Sequence, residues 1–223
     1  MAPLSVVKAS GAGTGVLLSA CVAEHGSGAH PYFASEALSK GSEALRNLAD
    51  AIHFLSALHG RQPGVIDHAA GRTVDSEARQ WLIAGSDALA AERRFLTRLA
   101  VAAGPVPSTP GGSASESAVN GQRSALATLA QSDRKGCALG AAFAFALDWA
   151  KIRPVLEEAA ARLGIDVPTC RLGSEGEIQN AADGPGADES VERAMLFGAQ
   201  QLALQHRGLW DLLEARAQAR AVS

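Results

Sequence analysis

Aromatic residues are scarce: Phe, Trp and Tyr together make up 4% of the 223 residues, and there is one tyrosine. The apolar share, 47%, comes mostly from alanine, leucine and valine. That mixture speaks against a β-sandwich, which needs aromatic and β-branched side chains, and for closely packed helices. Cysteine is equally sparse. Cys21, Cys137 and Cys170 lie far apart, so the chain has neither a zinc-finger spacing nor a redox C-x-x-C. A reducing compartment, the cytoplasm, fits such usage, and Cys137 reads as a small core residue.

Positive charge is not in excess either. Twenty Lys and Arg face 23 Asp and Glu, for a net charge of -3. Without a basic stripe, nucleic acid is excluded as the main partner. No run of like charges suggests an interaction tail, and no repeat of fixed period is present. The longest apolar run, Gly136 to Ala150, carries one charge, Asp148, in fifteen residues. At helical rise it spans about 22 Å, short of the ~30 Å of a bilayer core, so no transmembrane segment is expected. A helix apolar on every side belongs inside a bundle. This one is expected to be the central helix.

What is present around it is helical periodicity. Leu45, Leu48, Ile52, Leu55 and Leu58 form one stripe, ended by Gly60 and Pro63. Trp81, Leu82, Gly85, Ala88, Leu89, Glu92, Phe95, Leu96 and Leu99 form a second, ended by Gly104-Pro105. A third helix is predicted from near Asn120 through the central run, with a kink or break at Pro154. The last opens at Asp188-Glu189-Ser190 and carries Val191, Met195, Gly198, Leu202, Gln205, Leu209 and Leu212. The expected fold class is an all-α bundle of four long helices around a buried, Pro-kinked third helix. Residues 1–30 form a weakly ordered segment in this reading. Residues 31–220 form one helical domain, with loops near 61–75, 104–120 and 165–187 and room for a short strand at Thr169 to Leu172.

The N-terminus admits a second reading. Lys8, the apolar stretch from Gly11 to Leu18, and Leu18-Ser19-Ala20-Cys21 have the outline of a bacterial lipoprotein signal, with Cys21 as the lipid acceptor. Three glycines in the apolar part and a single preceding charge speak against export. The same glycines do not make G-x-G-x-x-G, so no dinucleotide site is expected.

Candidate functional residues are polar groups on apolar stripes, because a buried charge must be paired, metal-bound or neutralised. Glu92 sits mid-stripe, as a partner for an arginine of a neighbouring helix or as a ligand or base facing the bundle centre. Asp148 shares a face with Phe145 and Ile152; it either pairs with Lys151 or Arg153 at the surface or points inward. Asp133 follows the Leu126/Leu129 stripe and pairs with Arg134 and Lys135 or faces in. Asp50 and His53 make D-x-x-H, although an Arg46–Asp50 pair would place that face outside. His59 reads as a C-terminal helix residue. Gln205 and His206 interrupt the last helix, as core hydrogen-bonding groups or as part of a ligand pocket.

No E-x-x-H occurs, so a ferritin-type di-iron centre is not expected; a single-metal group of Glu92, His53 and His206 is the remaining metal reading. No G-x-S-x-G supports a hydrolase. The expected function is that of a non-catalytic ligand-binding or protein-interaction module; the alternative is a metal- or acid/base-dependent enzyme with a carboxylate/histidine site inside the bundle. Neither cofactor nor partner is identified, and a homo-oligomer is compatible with either class.

The segments H-G-R-Q-P-G-V-I-D-H-A-A (59–70), G-P-V-P-S-T-P-G (104–111), L-A-Q-S-D-R-K-G-C-A-L-G-A-A (129–142) and F-G-A-Q-Q-L-A-L-Q-H-R-G-L-W-D-L-L-E-A-R (197–216) resemble an uncharacterised helical family of alphaproteobacteria, of the sphingomonad type. The resemblance covers about 30–220. It implies a bacterial, cytosolic protein and transfers no functional residue.

Overall fold

The computed structural model describes residues 12–222. The chain is all-α. Among the described residues there are eight α-helices and no strand: α1 Thr14–His25, α2 Ala44–His59, α3 Val65–Arg72, α4 Ser76–Ala103, α5 Gly112–Ala130, α6 Cys137–Leu163, α7 Glu175–Gly186 and α8 Glu189–Ala221. Three short 3₁₀ turns link α1 to α2.

The apolar run is the first half of α6. Every residue from Cys137 to Trp149 is buried, and α6 touches each of the other seven helices. Its closest neighbour is α8. A Cβ on Gly140 would strike the backbone of Met195, and one on Gly198 would strike the backbone of Cys137. These two glycines let the helix backbones nearly touch. Gly136 lies against Val191, Gly140 against Met195 and Asp148 against His206, so α6 and α8 run in the same direction. By contrast, α2 runs antiparallel to α8, pairing Asp50 with Arg216 and His59 with His206.

The architecture departs from the expected four long helices in several places. Residues 14–25, read as loose, form α1, with Leu18 wholly buried and Val22 nearly so. Lys8 and the rest of the first eleven residues lie outside the described residues. Segments read as loops contain α3, the start of α5 and α7. The α3 N-terminus is held by Asp67, whose carboxylate accepts the Gly64 N–H at 2.7 Å. Helix α5 escapes notice because its inward stripe is sparse: Ser115, Val119, Leu126 and Ala130. A capping box of Ser174 and Glu177 starts α7. The predicted third helix is two helices: α5 stops at Ala130, and after a short connection α6 starts behind Gly136, which takes φ +94°. Pro154 instead lies within α6. Both it and Ala150, whose carbonyl loses its partner, face solvent, so water can satisfy that carbonyl. Thr169 to Leu172 is coil. Leu45 is 47% exposed rather than part of the buried stripe. No helix among the described residues is long and apolar enough to cross a membrane.

Candidate functional site: a histidine relay that ends in a cleft

The C-terminal end of α2 meets α6 and α8 at a chain of buried polar groups. Gly26 ends α1, and a Cβ there would lie 2.5 Å from Asp148 Oδ1. This lets the next turn press its donors onto the Asp148 carboxylate. The Ser27 N–H donates to Oδ1 at 2.8 Å, and the Ser27 hydroxyl to Oδ2 at 2.5 Å. His206 of α8 reaches Oδ2 through Nδ1 at 2.5 Å. Its other nitrogen, Nε2, lies 2.9 Å from Nε2 of His59 on α2. Ser27, Asp148 and His206 are each 0% exposed.

The hydrogen-bond roles follow from the donors. A carboxylate only accepts, so His206 Nδ1 carries a proton. With His206 neutral, its Nε2 accepts from His59 Nε2–H. The Nδ1 of His59 then holds a lone pair and has no hydrogen-bond partner among the described residues. The surroundings are apolar: Phe145 and Trp149 stack at 5.2 Å, and the His59 ring meets their edges at 4.9 and 5.9 Å. Burial, then His206 and then Arg93 hold the His59 imidazole well below its ordinary 6.5.

His59 also lines a cleft of about 290 Å³. Its walls come from the α2–α3 connection (Arg61), α3 (His68), α4 (Arg93), α5 (Arg123) and α6 (Phe145). Arg93 is fixed on one side only. Its Nε–H donates to the His59 carbonyl at 3.2 Å and its Nη2 to Asp67 Oδ2 at 2.8 Å, whereas Nη1 is buried with no hydrogen-bond partner. Asp67 also accepts from the Ser86 hydroxyl and the Gly64 N–H. Burial pushes the Asp67 carboxyl up, but the bonds from Ser86, Gly64 and Arg93 outweigh it and hold the carboxyl below 3.8.

The polar residues singled out from sequence scatter across the fold. Asp148 and His206 come together as described. Glu92 takes the arginine pairing: it accepts Trp149 Nε1–H at 3.0 Å and Arg153 Nη1 at 3.2 Å. His53 is half-buried and bonds the Gly104 carbonyl at 2.8 Å. Asp133 is fully exposed, 3.8 Å from Arg72 rather than beside Arg134 and Lys135. Gln205 is half-buried in a shallow depression beside Cys137 and Phe197. Asp50 is not on an outer face. It is 1% exposed and bound by Arg216 and Arg220, while Arg46 pairs with Glu43. Asp148 does not emerge into solvent to pair with Lys151 or Arg153. The grouping of Glu92, His53 and His206 is not formed, because each is bonded elsewhere. No three His, Cys, Asp or Glu side chains among the described residues gather as a metal-binding group.

His59, Ser27 and Arg93 are the members that sequence reasoning missed. His59 had a signal, since it continues the Ile52–Leu55 spacing by four. Ser27 had none; it is supplied by a turn far away in sequence. A roomier cleft of about 740 Å³ opens near the N-terminus of α6, beside Arg72, Lys135, Asp133 and Asp188. None of its charged residues is buried, and it meets no orphaned polar group.

The model of a family of unknown function, DUF6975, matches residues 22–221. No curated protein and no solved structure matches the chain.

Proposed function

The chain belongs to this family of unknown function, DUF6975, and we propose that it is a small-molecule-binding protein whose ligand exchanges a proton with His59, an acid/base site inside a helical bundle. One observation carries the reading: the hydrogen-bonded chain from the buried Asp148 carboxylate through His206 to His59, whose last ring lines an open cleft. Structural histidines need a partner, but they do not need two rings in series backed by a carboxylate.

The chain suits proton transfer. When His59 Nδ1 takes a proton from a group in the cleft, its Nε2 proton passes to His206 Nε2. His59 ends neutral. The positive charge sits on His206, directly against Asp148, where a buried carboxylate stabilises it. Charge therefore moves away from the cleft and away from Arg93. Phe145 and Trp149 exclude water from the path, which strengthens each interaction. The three cysteines are unpaired, which goes with the reducing, cytosolic setting that the reading assumes. Burial and then Glu24 push the Cys21 thiol up to about 11, so it stays protonated and is a poor nucleophile.

Diethyl pyrocarbonate, which acylates accessible neutral imidazoles, tests the reading by peptide mapping. His59 is expected to react, with a rate that drops about a hundredfold or more in Asp148→Asn, the lower end of what a positioned acid/base group contributes. An unreactive His59, or equal rates in the two proteins, would leave the network as a lock on helix register and the protein as a non-catalytic module.

A further inference from the structure

We infer that the ligand of the His59 cleft is a small oxyanion, a carboxylate or a tetrahedral group such as sulfate or phosphate, held by Arg93, Arg61 and Arg123. This rests on the reading of the cleft as a ligand site but not on proton transfer within it.

The cleft is built one-sidedly. Three arginines line it and no carboxylate does, on a chain whose net charge is -3. The nearest acid, Asp67, is fully engaged by Arg93, Ser86 and the Gly64 N–H. Arg61 and Arg123 have no ion-pair or hydrogen-bond partner for their side chains among the described residues. Arg93 is 8% exposed, and its Nη1 is a buried donor without an acceptor. An oxyanion suits three guanidinium groups lining one cleft, because its oxygens accept from several N–H groups at once. The cleft volume, about 290 Å³, lies at the small end of ligand sites, which suits a compact anion.

The same anion would assist His59. Arg93 is one of the groups that depress proton uptake at His59, and a negative charge beside Arg93 offsets it. His206 of α8 and Arg93 of α4 act on His59 directly, with Asp148 of α6 behind His206, and Arg61, His68 of α3 and Arg123 of α5 line the same cleft. Anion binding is therefore coupled to proton uptake.

Calorimetric titration at low ionic strength, with sodium sulfate and sodium acetate as probes and glycerol as the neutral control, tests the inference. At least one anion is expected to bind while glycerol does not. The Kd should rise about tenfold or more in Arg61→Gln/Arg123→Gln, a change of about 1.4 kcal/mol. Both side chains are unpartnered, so this variant should keep the wild-type Tm. Absence of anion binding, or equal affinity in wild type and variant, overturns the inference. A sulfate series from pH 7.5 to pH 5 on a His68→Gln background separates the two readings, because His59 is held below its ordinary 6.5. Binding that weakens in the arginine variant but ignores pH keeps the oxyanion and removes the proton-accepting His59. Binding that strengthens as pH falls keeps both.

Discussion

At the scale of single residues, burial alone does not mark a site; what matters is whether a buried polar group has its partners within the protein. Glu92 is 1% exposed, yet Trp149 and Arg153 occupy both of its oxygens, so it has nothing left to offer a ligand. His59 is different, with one nitrogen committed to His206 and the other facing the cleft. Its titration has a consequence for stability. The folded state holds His59 below its ordinary 6.5, so between those two values the unfolded chain binds the proton more readily. This contribution is complete above about pH 6.5 and is lost as pH falls below it. The carboxyls of Asp67, Glu177 and Asp188 are also held low, but they act only below their ordinary 3.8 to 4.5. Urea midpoints measured from pH 7.5 to pH 5 should therefore decline, and the decline should shrink in His59→Gln. A flat wild-type profile would show that His59 protonates at no cost.

At the scale of helices, the relay depends on how closely α6 and α8 approach. Asp148 is eight residues beyond Gly140, and His206 eight beyond Gly198. The glycine contacts thus set the separation and register that bring the carboxylate to the imidazole two turns later. Gly198→Val should wedge the helices apart at the Cys137 carbonyl. The expected loss is about 1–3 kcal/mol, since backbone has less room to yield than side chain, with His59 acylation slowed as well. Wild-type stability in that variant would mean that the close approach is incidental. Helix positions read from strong apolar stripes, those of α2, α4, α6 and α8, were legible. Helices α3 and α7 and the start of α5 were not, because glycine, serine and proline hide short inward stripes and the caps that start them act through side chains only placed by folding.

At the scale of the whole molecule, α6 is the hub and the N-terminal helix is one of its walls. Helix α1 packs on α6, α7 and α8, and its following turn supplies Ser27 to the relay. Removal of residues 1–20, which processing before Cys21 would cause, takes away the wholly buried Leu18. Loss of that one side chain should cost about 1.5–3 kcal/mol, or a drop of about 3–12 °C in Tm for a chain of this size. An undiminished Tm in the truncated protein would favour the lipid-anchor reading. The amino-acid sequence by itself determined the helical class and the central apolar helix, because periodicity and the cost of hydrating apolar surface are local properties of the chain; it left open whether Asp148 and Glu92 face inward. Only the tertiary structure decided which buried charge meets which partner. Ser27, His59, Asp148 and His206 are brought together from four separate elements, and Arg93 is left with a free donor by the course of α3. Hydrogen bonds between such distant residues are set by helix direction and register, neither of which any stretch of sequence carries alone.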